Sequence, residues 1–190
     1  MRVIKTDIEG VVVIEPEVFD DERGYFFESY SQREFDEKVR PVRFVQDNES
    51  KSGHGVVRGL HFQTGRHAQS KLVRVVEGRV MDVAVDLRRG SPTFGRHVAV
   101  ELSAENRRQL FVPRGFAHGF SVLGPTAVLA YKCDSPYAPH AEGAVAWNDP
   151  DIGVEWGLDR DEVTVSARDA AAPRMKDAPE LFDYNTDYYA

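Results

Sequence analysis

The chain has 190 residues, of which 24 are Lys or Arg and 31 are Asp or Glu, so its formal net charge is −7. This length suits one domain with its own core, and 42% hydrophobic with 29% charged residues is typical of a globular protein. The acidic balance argues against a nucleic-acid binder, which needs clustered basic residues, and no apolar run is long enough to span a bilayer.

Cysteine usage and the first residues bear on the cellular compartment. Cys133 is the only cysteine, which excludes an intrachain disulfide and speaks against a thiolate metal cluster. The opening segment, Met1 to Thr6, lacks the apolar stretch of a secretory signal. These features predict a cytoplasmic protein with no membrane partner.

Short runs rich in Val, Phe and Leu, separated by Gly and Pro, favour many strands over a few helices. A helix is predicted to open at the capping box of Ser31 and Glu34 and to end near Val39. Another short element is expected to begin at Asp161 or Thr164. The predicted strands are 42–48, 57–63, 71–77, 79–87, 97–102, 109–112, 119–123 and 127–132. Their spacing predicts an antiparallel sandwich or barrel.

Two of the six histidines, His61 and His118, lie within apolar strands, where the alternative to a functional role is a hydrogen-bonded core imidazole. A metal site is not favoured, because the next residue on the same strand face as His61 is Gln63 and the downstream polar residue is the cation Lys71. An imidazole near neutral pKa can instead remove a proton beside a ketone. Lys71 or His118 can then stabilise the enolate oxygen.

Tyr131 and Asp169 complete this proton-transfer hypothesis. Tyr131 is suited to return a proton from the opposite face, and Asp169 is suited to fix the tautomer of the imidazole. Each residue also has a simpler interpretation. Lys71 can be a strand-edge cation, Tyr131 a core residue with its hydroxyl at the rim, and Asp169 a solvated carboxylate or a helix cap.

Seven motifs follow one another along the chain: RGLHFQ (58–63), QSKLVRV (69–75), DVAVDLR (82–88), GSPTFG (90–95), PRGFAHGF (113–120), YKC (131–133) and WNDP (147–150). In this order they resemble the dTDP-4-dehydrorhamnose 3,5-epimerase family. The resemblance runs from Glu15 to about Pro173, nearly the whole chain.

The resemblance implies a mainly β fold, a cupin-type double-stranded β-helix (jelly-roll) barrel with a few short helices, formed by residues 1–190 as one domain. It implies a homodimer in which the N-terminal arm, about residues 1–50, contributes to the dimer and to the nucleotide site. The tail, about residues 174–190, carries no firm motif. The implied reaction epimerises dTDP-4-dehydro-6-deoxy-D-glucose at C3 and C5 to dTDP-4-dehydro-L-rhamnose, without a cofactor or a metal.

By the match to the family's motifs, His61 is the proton acceptor, Asp169 its partner and Tyr131 the proton donor, while Lys71 and His118 lie near the C4 oxygen. The implied substrate-binding residues are Arg23, Phe26, Glu28, Gln46, Asp47, Asn48, Arg58, Lys71, His118, Glu142 and Arg168. Arg168 departs from the family's Ser-x-Lys-Asp segment, and the guanidinium fork of an arginine is not equivalent to the ammonium of a lysine.

Two alternatives stay open. An epimerase acting only at C3 or only at C5 would use the same base and acid, and no physical rule separates it from the double epimerase. A metal-dependent cupin, such as a dioxygenase, or a sugar-binding cupin without catalysis belongs to a different class.

Overall fold

Two long antiparallel strands organise the computed structural model, which describes residues 1–190. In chain order the strands are β1 Arg2–Lys5, β2 Val12–Glu15, β3 Val18–Asp21, β4 Gly24–Phe27, β5 Gln46–Gly53, β6 Val57–Gln63, β7 Lys71–Asp86, β8 Arg88–Arg89, β9 His97–Ser103, β10 Gln109–Val112, β11 Phe116–Cys133, β12 Glu142–Ala144 and β13 Phe182–Asp183. The α-helices are α1 Gln32–Lys38 and α2 Ala167–Ala170, and single 3₁₀ turns lie at Gly65–His67, Pro139–Ala141 and Met175–Asp177. Neither helix has the length or apolar character needed to cross a membrane.

The two long strands, β7 and β11, each take part in two layers of the nine-stranded sheet. Residues 79–86 of β7 pair with β11 between β9 and β6, and these strands form one layer. Residues 71–75 of β7 pair with β11 between β10 and β5, and these strands form the other layer. The layers meet near Gly78, where φ is +76° and a Cβ would collide with the carbonyl oxygen of Thr126. Only glycine fits this bend. The segments predicted as separate strands, 71–77 with 79–87 and 119–123 with 127–132, are therefore two continuous strands.

Apolar side chains fill the space between the layers and also cover both outer faces. The inner cluster joins Val73 and Leu129 of one layer to Val80 and Leu102 of the other. The chain after β12 covers the outer face of the layer that contains β9 and β6. Helix α1 covers the outer face of the layer that contains β10 and β5. These covering contacts include Trp156 and Phe182 against Leu60 and Val85, and Phe35 against Leu72 and Phe111. The long strands are thus buried on both faces.

The start of α1 agrees with its prediction, since Ser31 is the N-cap and its Oγ accepts a hydrogen bond from the backbone N–H of Glu34 (3.5 Å). The strand predicted at 42–48 begins too early, because β5 starts only at Gln46 and runs to Gly53. Side chains of the helix hold the backbone of Val42: its N–H donates to Asp36 Oδ1 (3.2 Å) and its carbonyl accepts from Gln32 Nε2 (2.8 Å). These groups are not available to a neighbouring strand.

Candidate active site

An imidazole and a carboxylate lie in contact at one end of the space between the layers. His61 on β6 points into this space, while its neighbours Leu60 and Phe62 pack in the outer cluster. His61 Nε2 lies 2.6 Å from Oδ1 of Asp169, a residue 108 positions further along the chain. Because a carboxylate only accepts hydrogen bonds, Nε2 carries the proton. Nδ1 makes no hydrogen bond within the chain and holds the free lone pair.

Asp169 is fixed from two sides. Ser166 caps α2, and its Oγ accepts a hydrogen bond from the Asp169 backbone N–H (3.0 Å). The N–H of Gly59 donates to Oδ2 (3.4 Å), and the carboxylate is only 4% exposed. The helix begins at Ala167, so the start predicted at Asp161 or Thr164 is wrong.

Gly59 also sets how closely β6 approaches β11. Its φ is +138°, and a Cβ would lie 2.6 Å from the Cα of Gly119. A side chain at Gly59 would push the strands apart and displace the N–H that holds the Asp169 carboxylate. The glycine therefore belongs to the support of the His61–Asp169 pair.

His61 lines a cavity of about 240 Å³ whose walls are mostly polar. Register brings the walls together, because Lys71 of β7 lies opposite Cys133 of β11, and Tyr131 lies opposite Asn48 of β5. The remaining lining residues are Gln46, Phe62, Gln63, Gln69, Tyr137 and Glu142. No three His, Cys, Asp or Glu side chains converge in a geometry that could hold a metal ion.

Burial shifts the pKa of three groups that line the cavity: His61, Lys71 and Tyr131. It lowers the pKa of His61, against the raising effect of the bonded Asp169, and the charge of Lys71 adds to the lowering. Burial also lowers the pKa of Lys71, which makes no hydrogen bond or ion pair, and raises the pKa of Tyr131. Lys71 Nζ lies 5.9 Å from the centre of the Tyr131 ring. The cavity therefore holds a neutral imidazole and a protonated phenol at pH 7, beside a lysine side chain that no carboxylate pairs.

His118 points into the same interlayer space but does not line the cavity. It is the register partner of His61, and its Nε2 lies 3.0 and 3.1 Å from the two carboxylate oxygens of Asp82. Both residues are buried. Sequence reasoning missed Asp82, although a charged residue between Val80 and Ala84 on the inner face of β7 was the signal available.

The cavity mouth carries an acidic group held by two neighbours. Glu142 Oε1 lies 2.7 Å from Arg168 Nη2, and its Oε2 accepts a hydrogen bond from the Tyr137 hydroxyl (2.9 Å). Burial alone would raise the pKa of Glu142, but these two hydrogen bonds outweigh it and hold the pKa below its usual value. The sequence analysis missed Tyr137, which lines the cavity and is 55% exposed.

Besides His118 and Arg168, five of the predicted binding residues do not line the cavity within one chain. Arg58 donates from Nε to Ser52 Oγ (3.0 Å), and Asp47 faces the other side of β5, paired with Lys132 (2.9 Å). The other three belong to the exposed hairpin of β3 and β4 or follow it directly: Arg23, Phe26 and Glu28.

Comparison with known proteins identifies the family of this chain. The sequence profile described as dTDP-4-dehydrorhamnose 3,5-epimerase matches residues 5–177. The dTDP-4-dehydrorhamnose 3,5-epimerase of Salmonella typhimurium is 56% identical over 179 residues, which cover 94% of this chain and 97% of the relative. The crystal structure of dTDP-6-deoxy-D-glucose-3,5-epimerase from Legionella pneumophila, in complex with dTDP-4-keto-L-rhamnose, is 45% identical. It matches with a TM-score of 0.93 over 97% of this chain and 99% of that one.

A 3'-monoepimerase from Streptomyces bikiniensis, crystallised with dTDP-quinovose, is also similar. It is 35% identical, with a TM-score of 0.84 over 90% of this chain and 86% of that one. The match of the profile and of these relatives over most of the chain confirms the predicted mainly β, cupin-type fold and the predicted isomerase class. The chain belongs to the dTDP-4-dehydrorhamnose 3,5-epimerase family.

Proposed function

We propose that the protein converts dTDP-4-dehydro-6-deoxy-D-glucose to dTDP-4-dehydro-L-rhamnose by epimerising C3 and C5 in turn. The observation that carries this proposal is the His61–Asp169 contact of 2.6 Å, with the free Nδ1 in the same cavity as Lys71 and Tyr131. The 56% identity to a 3,5-epimerase supports the double reaction over a single epimerisation.

Each cycle uses three groups of the cavity. His61 Nδ1 accepts the proton from the carbon beside the C4 ketone. The electron pair of the broken C–H bond forms a double bond to C4, and the π pair of the C4 carbonyl moves to its oxygen. The ammonium of Lys71 stabilises the enolate that forms. The hydroxyl of Tyr131 then donates a proton to the opposite face of the same carbon, which restores the ketone with inverted configuration. Before the next cycle the His61 imidazolium releases its proton to solvent and the Tyr131 phenolate takes one up from solvent. Asp169 holds His61 in the reactive tautomer and stabilises the imidazolium.

The supporting residues have parts in this proposal as well. We assign the mouth of the cavity, with Glu142, Arg168 and the exposed ring of Tyr137, to the nucleotide, since an aromatic face suits a thymine ring and a guanidinium suits a diphosphate. Gln46 and Asn48 line the cavity and are assigned to the sugar. His118, held by Asp82, is assigned to the region of the C4 oxygen behind the cavity wall.

Incubation with dTDP-4-dehydro-6-deoxy-D-glucose in deuterated water, followed by NMR, tests the reaction. Deuterium at both C3 and C5 is expected. Deuterium at one position selects a single epimerase, and none rejects catalysis on this substrate. Removing the base with His61→Asn is expected to lower turnover by on the order of 10²–10⁴. The matched control is His97→Asn, since His97 on β9 makes no side-chain hydrogen bond and lies outside the cavity.

The match to the epimerase family does not favour a metal-dependent cupin, the alternative from another class. Metal analysis of the purified protein, together with activity in excess chelator, separates the two. Stoichiometric iron with chelator-sensitive activity would replace the proposed mechanism.

We further propose that residues 1–190 form one domain and that the protein acts as a homodimer in the cytoplasm. The support for the dimer is the β3–β4 hairpin, on which the register partners Phe19 and Phe26 share one face and are 57% and 69% exposed. Such an aromatic patch marks an interaction surface. Arg23 lies at the tip of this hairpin and is assigned to the partner's nucleotide site. The buried, unpaired thiol of Cys133 is compatible with a reducing compartment.

A mixing experiment tests the shared site. Arg23→Ala and His61→Asn subunits, each impaired alone, are combined at equal amounts. If Arg23 serves the partner's His61, half of the dimers contain one intact site, and activity recovers to about a quarter of the wild-type value. No recovery, with exchange of subunits demonstrated by mass, would assign Arg23 to its own chain.

A further inference from the structure

The last residues of the chain are anchored at two points directly behind the active site. The ring of Phe182 is 2% exposed and lies edge-on to Phe62, with ring centres 5.7 Å apart. Phe62 follows His61. The Tyr189 hydroxyl lies 2.6 Å from Ser70 Oγ, and Ser70 precedes Lys71. Both anchors fall outside residues 5–177, to which the family profile extends.

The contact of Tyr189 is part of a closed network of hydrogen bonds. Its hydroxyl oxygen accepts from the backbone N–H of Arg114 (3.0 Å), so its own proton is free for Ser70 Oγ. The Ser70 N–H donates to Asp134 Oδ1 (2.6 Å), and Arg114 Nε donates to Oδ2 of the same carboxylate (3.0 Å). The guanidinium of Arg40 covers the Tyr189 ring, 3.4 Å from its centre. The network therefore ties the tail to the β7 and β11 ends.

This network lies next to Lys71, the residue proposed to stabilise the enolate. Lys71 makes no hydrogen bond or ion pair, and its register partner Cys133 directly precedes Asp134. Because side chains alternate along a strand, Ser70 faces the tail while Lys71 faces the cavity. Ser70 is fully buried. The position of the Lys71 side chain therefore depends on the backbone segment that Ser70 anchors.

We propose that the C-terminal segment 182–189 is a positioning element of the active site, in which Tyr189 holds Ser70 and thereby sets Lys71 against the C4 oxygen. Its catalytic part rests on the proposed function. Tyr189→Phe keeps the ring and the Arg40 contact but removes both hydrogen bonds of the hydroxyl. We expect kcat to fall about 3- to 10-fold. KM should stay within about twofold, because Lys71 acts mainly on the charge that develops in the transition state.

The control variant is Tyr184→Phe, since the Tyr184 hydroxyl makes no hydrogen bond and the residue lies in the same segment. It should leave kcat and KM unchanged. Ser70→Ala removes the other partner of the Tyr189 contact and should give the same loss as Tyr189→Phe, with no additional loss when the two are combined.

A double-mutant cycle with Lys71→Met separates positioning from general support of the fold. If the tail acts through Lys71, Tyr189→Phe has no further effect on kcat in the Lys71→Met background. An equal fold-loss in both backgrounds would overturn the inference, as would a kcat within about twofold of wild type for Tyr189→Phe.

Amide hydrogen exchange provides a readout that does not need activity. The Ser70 N–H should exchange at least about tenfold faster in Tyr189→Phe than in wild type, with amides of β9 unchanged. Unchanged Ser70 exchange would refute the anchor. A wild-type protein that incorporates no deuterium into the substrate would instead refute the proposed function, while the exchange result would still decide whether the anchor exists.

Discussion

Replacing Asp169 by asparagine is the sharpest test of the His61–Asp169 pair, because the two side chains have nearly the same shape. The Gly59 N–H faces Oδ2 at 3.4 Å and needs an acceptor, so the amide oxygen is expected there. The amide NH₂ then faces His61 Nε2, which lies 2.6 Å from Oδ1 in the wild type. Nε2 must accept this bond, and the proton moves to Nδ1, the atom proposed as the base.

The wrong tautomer and the lost carboxylate charge together should lower kcat by on the order of 10²–10⁴, or about 2.7–5.4 kcal/mol at 1.36 kcal/mol per decade. The assay is the initial rate of deuterium incorporation at C3 and C5. Asp169 raises the pKa of His61, so its removal lowers that pKa further and moves the acid limb of kcat/KM to lower pH.

The matched control is Asp151→Asn, which alters an exposed carboxylate without a side-chain partner. The backbone hydrogen bond from residue 169 to Ser166 does not depend on the carboxylate, so α2 should persist in the variant. A rate for Asp169→Asn within about threefold of wild type, with an unmoved acid limb, would refute the role given to this pair.

Three further predictions concern the cavity and its support. Tyr131→Phe should still exchange substrate hydrogen for deuterium but lose epimerised product by on the order of 10² or more; undiminished product would remove Tyr131 as the donor. In wild type, the acid limb of kcat/KM should fall below the ordinary histidine value of about 6.5, since burial lowers the pKa of His61, and a midpoint above that value would contradict the burial argument. Gly59→Ala should reduce the free energy of unfolding by about 2–4 kcal/mol in denaturant titration. The control Gly53→Ala should be close to neutral, because nothing lies within 4 Å of its new Cβ. Equal effects of the two variants would argue against the close approach of β6 and β11.

The chemistry of the site could be predicted from the sequence more fully than its geometry. Residue types alone suggested His61 as a base and Lys71 as a charge for an enolate, because few side chains suit those tasks near neutral pH. Asp169 entered the hypothesis as a carboxylate suited to orient the imidazole, and the motif resemblance also made it the partner of His61. A separation of 108 residues does not by itself show that two side chains meet. The Asp82 partner of His118 stayed unidentified for the same reason.

Errors in the fold arose where backbone hydrogen bonds, rather than side-chain patterns, decide the structure. Residues 42–48 alternate as a strand does, yet the Val42 backbone is bound by Asp36 and Gln32. Alternation reports which face is buried and not which group pairs with the backbone. The predicted strands likewise stop at Gly78 and before Gly124, but β7 and β11 continue through these two positions.

The long separation between His61 and its carboxylate has a consequence for biosynthesis. A ribosome releases residues from the N-terminus, so β6 emerges well before α2. A nascent chain that has not yet reached Asp169 carries an imidazole with no fixed tautomer, and the final contact closes a loop across most of the sequence. Turnover should therefore switch on only after α2 has emerged, when most of the β-sheet is already present.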